Sequence, residues 1–194
     1  MHTKLLLGAT AGLIGLSGAA FAADTISSSP MQLSSDRSEV DGTSTLIRSR
    51  DGASFTLDTR HLRKNAPYTI WWVVFNKPQA CEEPYACGAV DLDNPAVETG
   101  LFWATGRLAD RHGQATFAAE IDVGELPTEE GQLPHPVAVN PLTDPKRAEI
   151  HLVVRGHGRK RGAHLEAQLT TLNGGCPPND CGNVQFSIHA SPNS

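Results

Sequence analysis

Three histidines, four cysteines and one basic run carry most of the chemistry this sequence could perform. His151 lies in AEIHLVVR, where strand alternation groups it with Glu149, Val153 and Arg155, opposite Ile150, Leu152 and Val154. His157 follows, with a glycine on each side, and His189 shares a strand face with Gln185 and Ser187, opposite Val184, Phe186 and Ile188, which are expected inward. If those strands are neighbours, His151, His157 and His189 converge on one metal, and imidazole ligands suit copper or zinc. The spacing alone does not specify such a site, because no H-x-H or H-E-x-x-H pair fixes two ligands on one element. Hydrogen-bonded or solvent-facing histidines are the plainer expectation.

Arg155, Arg159, Lys160 and Arg161 fall within seven positions, in RGHGRKRG. Such a loop could take an acidic polysaccharide, a phosphate or headgroups. Its glycines equally suit a solvated connection between two elements. No aromatic interleaves the charges for base stacking, and the chain has 21 acidic against 16 basic residues, a net charge of −5. That balance argues against a nucleic-acid binder. Trp71, Trp72 and Trp103 could line a sugar platform, but adjacent Trp71 and Trp72 point to opposite faces of a strand, so core packing is expected. Catalytic patterns are missing: no G-x-S-x-G elbow, no glycine-rich phosphate loop, no carboxylate pair placed across a cleft. Binding is therefore expected over catalysis.

The cysteines form two close pairs, Cys81 with Cys87 and Cys176 with Cys181, each bracketing a short proline-containing loop. Local disulfides are expected, each worth about 2–2.5 kcal/mol on the chain-entropy model. A four-thiolate zinc site is the rival, but the first pair is wider than the usual two to four intervening residues. Compartment favours oxidation. Lys4, the apolar stretch 5–16 and Ala20-Phe21-Ala22 make a signal peptide over residues 1–22. The apolar stretch is shorter than the roughly 20 residues that span a bilayer. Export to the periplasm or the cell exterior, without a membrane span, is the expectation.

Residues 23–41 are Ser- and Asp-rich without apolar period and read as a poorly ordered leader to a single domain at 42–194. Short β segments follow at 44–50, 54–62, 68–75, 101–108, 114–121, 148–155 and 184–189, with Asp51-Gly52 and 110–113 as hairpin turns. YTIWWVVF at 68–75 is apolar on both faces, which marks a strand covered on both sides. Five prolines make 124–145 an irregular loop, and 164–172 fits either a strand or a short helix. The fold class is all-β, an antiparallel sandwich of seven to nine short strands with long loops.

Three stretches, YTIWWVVFN at 68–76, AEIHLVVRGHG at 148–158 and NGGCPPNDC at 173–181, together resemble an uncharacterised family of exported bacterial β-rich proteins. The likeness spans most of the domain and implies no particular activity. The His151 strand is more loosely similar to the CHRD domains, secreted β modules named for chordin. The leading expectation is an exported, non-enzymatic binding module without a cofactor, whose ligand is unknown: an anionic polymer or another exported protein. The alternative is a small periplasmic metalloprotein, redox-active, holding copper or zinc on histidines. Protein recovered from the exported fraction should begin at Ala23; N-terminal sequencing that reads from Met1 would remove the export reading.

Overall fold

The computed structural model of the chain describes residues 23–126, 138–192 and 194. The expected signal segment 1–22, and 127–137 within the proline-rich loop, lie outside the described residues. Among the described residues eight strands are found: β1 Thr25–Leu33, β2 Glu39–Arg48, β3 Gly52–Thr59, β4 Pro67–Phe75, β5 Thr99–Leu108, β6 Ala115–Asp122, β7 Glu149–Gly156 and β8 Gly182–His189. One short helix, α1 Leu165–Thr170, resolves the open choice over 164–172. No helix among the described residues is long and apolar enough to cross a membrane.

Every ladder is antiparallel, and the strands form one continuous sheet in the order β5-β4-β7-β8-β1-β2-β3-β6. Its two outer strands, β5 and β6, follow one another in the chain and touch, so the sheet curls nearly into a barrel round one interior. The all-β antiparallel fold is thus the one expected. The 101–121 hairpin takes a different form. Its turn is made, with Asp110 Oδ1 accepting the amides of His112 and Gln114. No ladder joins its arms, however, because β5 pairs with β4 and β6 pairs with β3.

Two further expectations are corrected. The supposed leader contains β1, which pairs with β2 along its length and with β8 at Gln32 and Leu33. Its inward positions, Ser27, Ser29 and Met31, are mostly polar, so the strand shows no apolar period. In β8, Gln185, Ser187 and His189 are the buried inward residues, whereas Phe186 and Ile188 occupy the opposite face. A bulge at the β7–β8 ladder leaves Val184 packed against the interior. The apolar-inward rule fails there because β1, β2 and β8 bury a hydrogen-bonded polar network rather than aliphatic side chains.

All nine residues of β4 are buried. Ile70, Trp72 and Val74 face the interior with Phe55, Leu57, Phe117 and Leu152, and Trp72 meets Phe55 edge-on at 4.8 Å between ring centroids. Trp71, Val73 and Phe75 face outward into a second cluster with both cysteines of the 81–87 loop, Val97, Leu101 and Leu172. The segment 76–98 is therefore a cover laid over the outer face of the sheet. Asn76 anchors one end, donating to the carbonyls of Glu98 and Pro141 and accepting from Thr143. Trp72→Ala should lower unfolding free energy by about 3–5 kcal/mol, whereas Trp103→Ala, at the exposed edge, should cost about 1 kcal/mol or less. Urea denaturation of the two variants checks the contrast.

Candidate functional site

Between the cover and the outer face of β4, β7 and β8 lies a cavity of about 520 Å³. Trp71, Val73, Phe75 and Val153 make an apolar floor, Phe186 and Leu172 supply apolar walls, and Arg37 and Arg155 lie at its margin. His151 opens onto it. Alternation along β7 dictates this: Glu149, His151, Val153 and Arg155 share the outer face, as their spacing indicated, while Ile150, Leu152 and Val154 fill the interior.

Beneath the cavity, Glu149 Oε1 lies 2.7 Å from His151 Nε2 and also accepts the Cys87 amide at 3.0 Å. The carboxylate is 1% exposed and Oε2 has no hydrogen-bond partner among the described residues. One buried carboxylate thus fixes both the imidazole and the disulfide loop that roofs it. Phase of the ring is set further by Phe75, edge-on at 5.0 Å. With Nε2 held by Glu149, Nδ1 is bonded by no group among the described residues. A buried carboxylate–imidazole pair in an apolar cavity can donate a strong hydrogen bond or hold a proton for a ligand.

The three candidate metal histidines are not brought together. His151 belongs to the outer cavity. His189 is inward, its Nδ1 2.8 Å from Ser27 Oγ and its Nε2 2.8 Å from Ser44 Oγ, which in turn donates to Ser187. His157, fully buried past the end of β7, has Nε2 2.8 Å from Thr69 Oγ1 and Nδ1 3.1 Å from the Gly174 carbonyl. Both local disulfides, Cys81–Cys87 and Cys176–Cys181, are formed, and no cysteine is free. Among the described residues the groups of close ligand atoms are His157 with Cys176 and Cys181, and Cys81 with Cys87 and Asp91; the first holds one histidine and the second none.

The basic run is divided as well. Arg155 spends its guanidinium on the Leu172 carbonyl and the side chains of Asn183 and Asn173, at 2.7–3.0 Å. Arg159, Lys160 and Arg161 lie beyond the strand, in a loop whose backbone Gln168 and Asn179 clamp. Of the tryptophans, Trp72 is core, Trp71 is cavity floor with Nε1 donating to Thr69, and Trp103 is partly exposed. Sequence reasoning passed over Arg37, placed Phe186 inward, and put Glu149 and His151 on one face without reading the contact between them. The last had a readable signal, because E-x-H on a strand puts both side chains on one face. Arg37 and Phe186 meet only through the fold, with the guanidinium 5.7 Å above the ring.

Arg48 is 1% exposed and donates to the carbonyls of His189 and Ala190 and to Ser27, with no carboxylate paired to it among the described residues. Burial pushes it down to about 10. The same burial, with the nearby Arg48 and His151 charges, pushes His189 down to about 3, and burial lowers His157 to about 4. Comparison with protein-family models, curated proteins and solved structures finds no match to the chain.

These histidines stay neutral in the folded protein while the unfolded chain titrates near its ordinary 6.5. Stability is therefore fully present above about pH 6.5 and declines as pH falls towards 3, by up to about 1.4 kcal/mol per pH unit for His189. Urea midpoints between pH 7.5 and 4.5 should fall accordingly, and His189→Gln should flatten the slope. An identical slope in that variant would contradict the assignment.

Proposed function

We propose that the protein is an exported, non-enzymatic binding module whose outer cavity takes a small amphiphile with an apolar or aromatic body and one acidic head. The observation that carries this reading is the Glu149–His151 pair beneath an aromatic-lined cavity, with Nδ1 bonded to no protein group among the described residues. Ligand sites are commonly apolar cavities with a few placed polar groups, and this one has that composition. Trp71, Phe75 and Phe186 offer flat apolar surface for the body. His151 Nδ1 and the Arg37 guanidinium, which no described residue hydrogen-bonds, line the cavity and can meet a head group. Arg155 shapes the wall, its nitrogens being engaged with Leu172, Asn173 and Asn183. The choice of an acidic head follows from chemistry: a cationic margin and an imidazole backed by a carboxylate favour an anionic or strongly hydrogen-bonding partner.

Two local disulfides agree with an oxidising compartment. Separate partners on separate faces weigh against a metal held jointly by His151, His157 and His189. Titration with the fluorescent aryl sulfonate 1-anilinonaphthalene-8-sulfonate, displaced by decanoate, tests the proposal. One saturable site is expected. Val153→Trp should abolish it by filling the cavity, and His151→Gln should weaken it about tenfold or more. Probe binding unchanged in folded Val153→Trp protein would sink the proposal.

A further inference from the structure

We infer that the Cys176–Cys181 disulfide masks a metal site: once reduced, Cys176, Cys181 and His157 hold one thiophilic d10 cation, tested here as Zn²⁺. The geometry points to it. His157 Nδ1 lies 3.5 Å from Cys181 Sγ, and the three donor atoms all fall within 4.8 Å of one another. Tetrahedral zinc, with bonds of about 2.3 Å to sulfur and 2.0–2.1 Å to nitrogen, sets ligand atoms roughly 3.5–3.8 Å apart. The separation of Nδ1 from Cys181 Sγ already matches, and reduction lets the two sulfurs part to the tetrahedral spacing.

The imidazole is held for the task from behind. Gly174 offers only a carbonyl, so Nδ1 carries the proton and Nε2 accepts from the Thr69 hydroxyl, which itself accepts from Trp71 Nε1. A metal-bound histidine typically has its other nitrogen fixed by such a partner. The loop, moreover, does not depend on its disulfide for position. Asn179, between the two cysteines, donates to the His157 and Arg159 carbonyls at 2.8 and 2.7 Å, and Gln168 grips the same two carbonyls. Access separates the two disulfides. Cys81 and Cys87 are 5% and 2% exposed on the underside of the cover, whereas Cys176 and Cys181 are half-buried and open to a reductant.

The chemistry balances with an external dithiol. Exchange transfers two electrons and two protons, giving two cysteine thiols and the oxidised reductant. Binding Zn²⁺ then releases both thiol protons. The imidazole stays neutral, its proton moving from Nδ1 to Nε2, where Thr69 Oγ1 accepts it. Three protein ligands leave a fourth position for water or an outside ligand. None of the three ligands lines the outer cavity, so the inference does not rest on what that cavity binds.

The test uses the mature protein, oxidised and dithiol-reduced under anaerobic conditions, titrated with Zn²⁺ against a chromophoric chelator. Reduced protein should bind one equivalent more tightly than about 1 µM, and oxidised protein none. Co²⁺ in place of zinc should give thiolate charge-transfer and tetrahedral ligand-field bands. Cys176→Ser with Cys181→Ser should abolish uptake, while Cys81→Ala with Cys87→Ala should keep it. Because either double variant could fail to fold, alkylation mapping of wild-type protein supplies a second reading: zinc should protect Cys176 and Cys181 from iodoacetamide. Absence of zinc uptake by reduced wild-type protein, or alkylation of both cysteines unslowed by zinc, would overturn the inference.

Discussion

Burial of β4 on both faces is the constraint from which the rest of the structure follows. A strand reading PYTIWWVVF cannot leave either face in water, since each large apolar side chain contributes roughly 1.5–3 kcal/mol on burial. The curled sheet supplies one cover, through Phe55, Leu57, Phe117 and Leu152. The other must come from outside the sheet, and the 76–98 segment with Leu101 and Leu172 provides it. The outer cavity is the part of that face, extended onto β7 and β8, which the cover encloses without filling.

A loop laid over a sheet brings its own polar backbone into a dry setting, and those groups need partners. Buried side chains supply them. Glu149 takes the Cys87 amide, Asp91 takes the amides of Glu82 and Gly88, and Asn76 ties residue 98 to the 141–143 segment. The Cys81–Cys87 bond closes the same loop. Placing Glu149 there also holds His151 towards the cavity, so fold anchorage and site chemistry share one carboxylate. Thr69 has a similar double part beneath Trp71 and His157.

The opposite side of the interior follows different physics. Arg48, His189, Ser27, Ser44 and Ser187 form a largely buried network in which the guanidinium finds two carbonyls and the Ser27 hydroxyl but, among the described residues, no carboxylate. Burial, and after it the Arg48 cation, keeps the His189 imidazole neutral, and together the two side chains tie the end of the last strand to β1 and β2. Such a network brings fewer apolar contacts than aliphatic packing would, but its directional bonds define the β1–β2–β8 register.

Local pattern sufficed wherever a residue's neighbours in sequence decide its environment. The two-faced apolarity of β4, the alternation of β6 and β7, the E-x-H face of Glu149 and His151, and the pairing of nearby cysteines were all legible in this way. Sequence failed at β1 and at the inward face of β8, where Ser29, Gln185, Ser187 and His189 are buried, and Ser27 half-buried, by partners more than a hundred residues away or on other strands. No periodicity marks a polar core, because its stability resides in hydrogen bonds between strands rather than in apolar area. Proximity of the histidines was likewise a matter of strand order and facing. The curl of the sheet sent His151 outward, His189 inward and His157 beneath the Cys176–Cys181 loop. Chain composition therefore determined an all-β, stapled domain, and only the tertiary structure decided which chemistry-bearing side chains share a space.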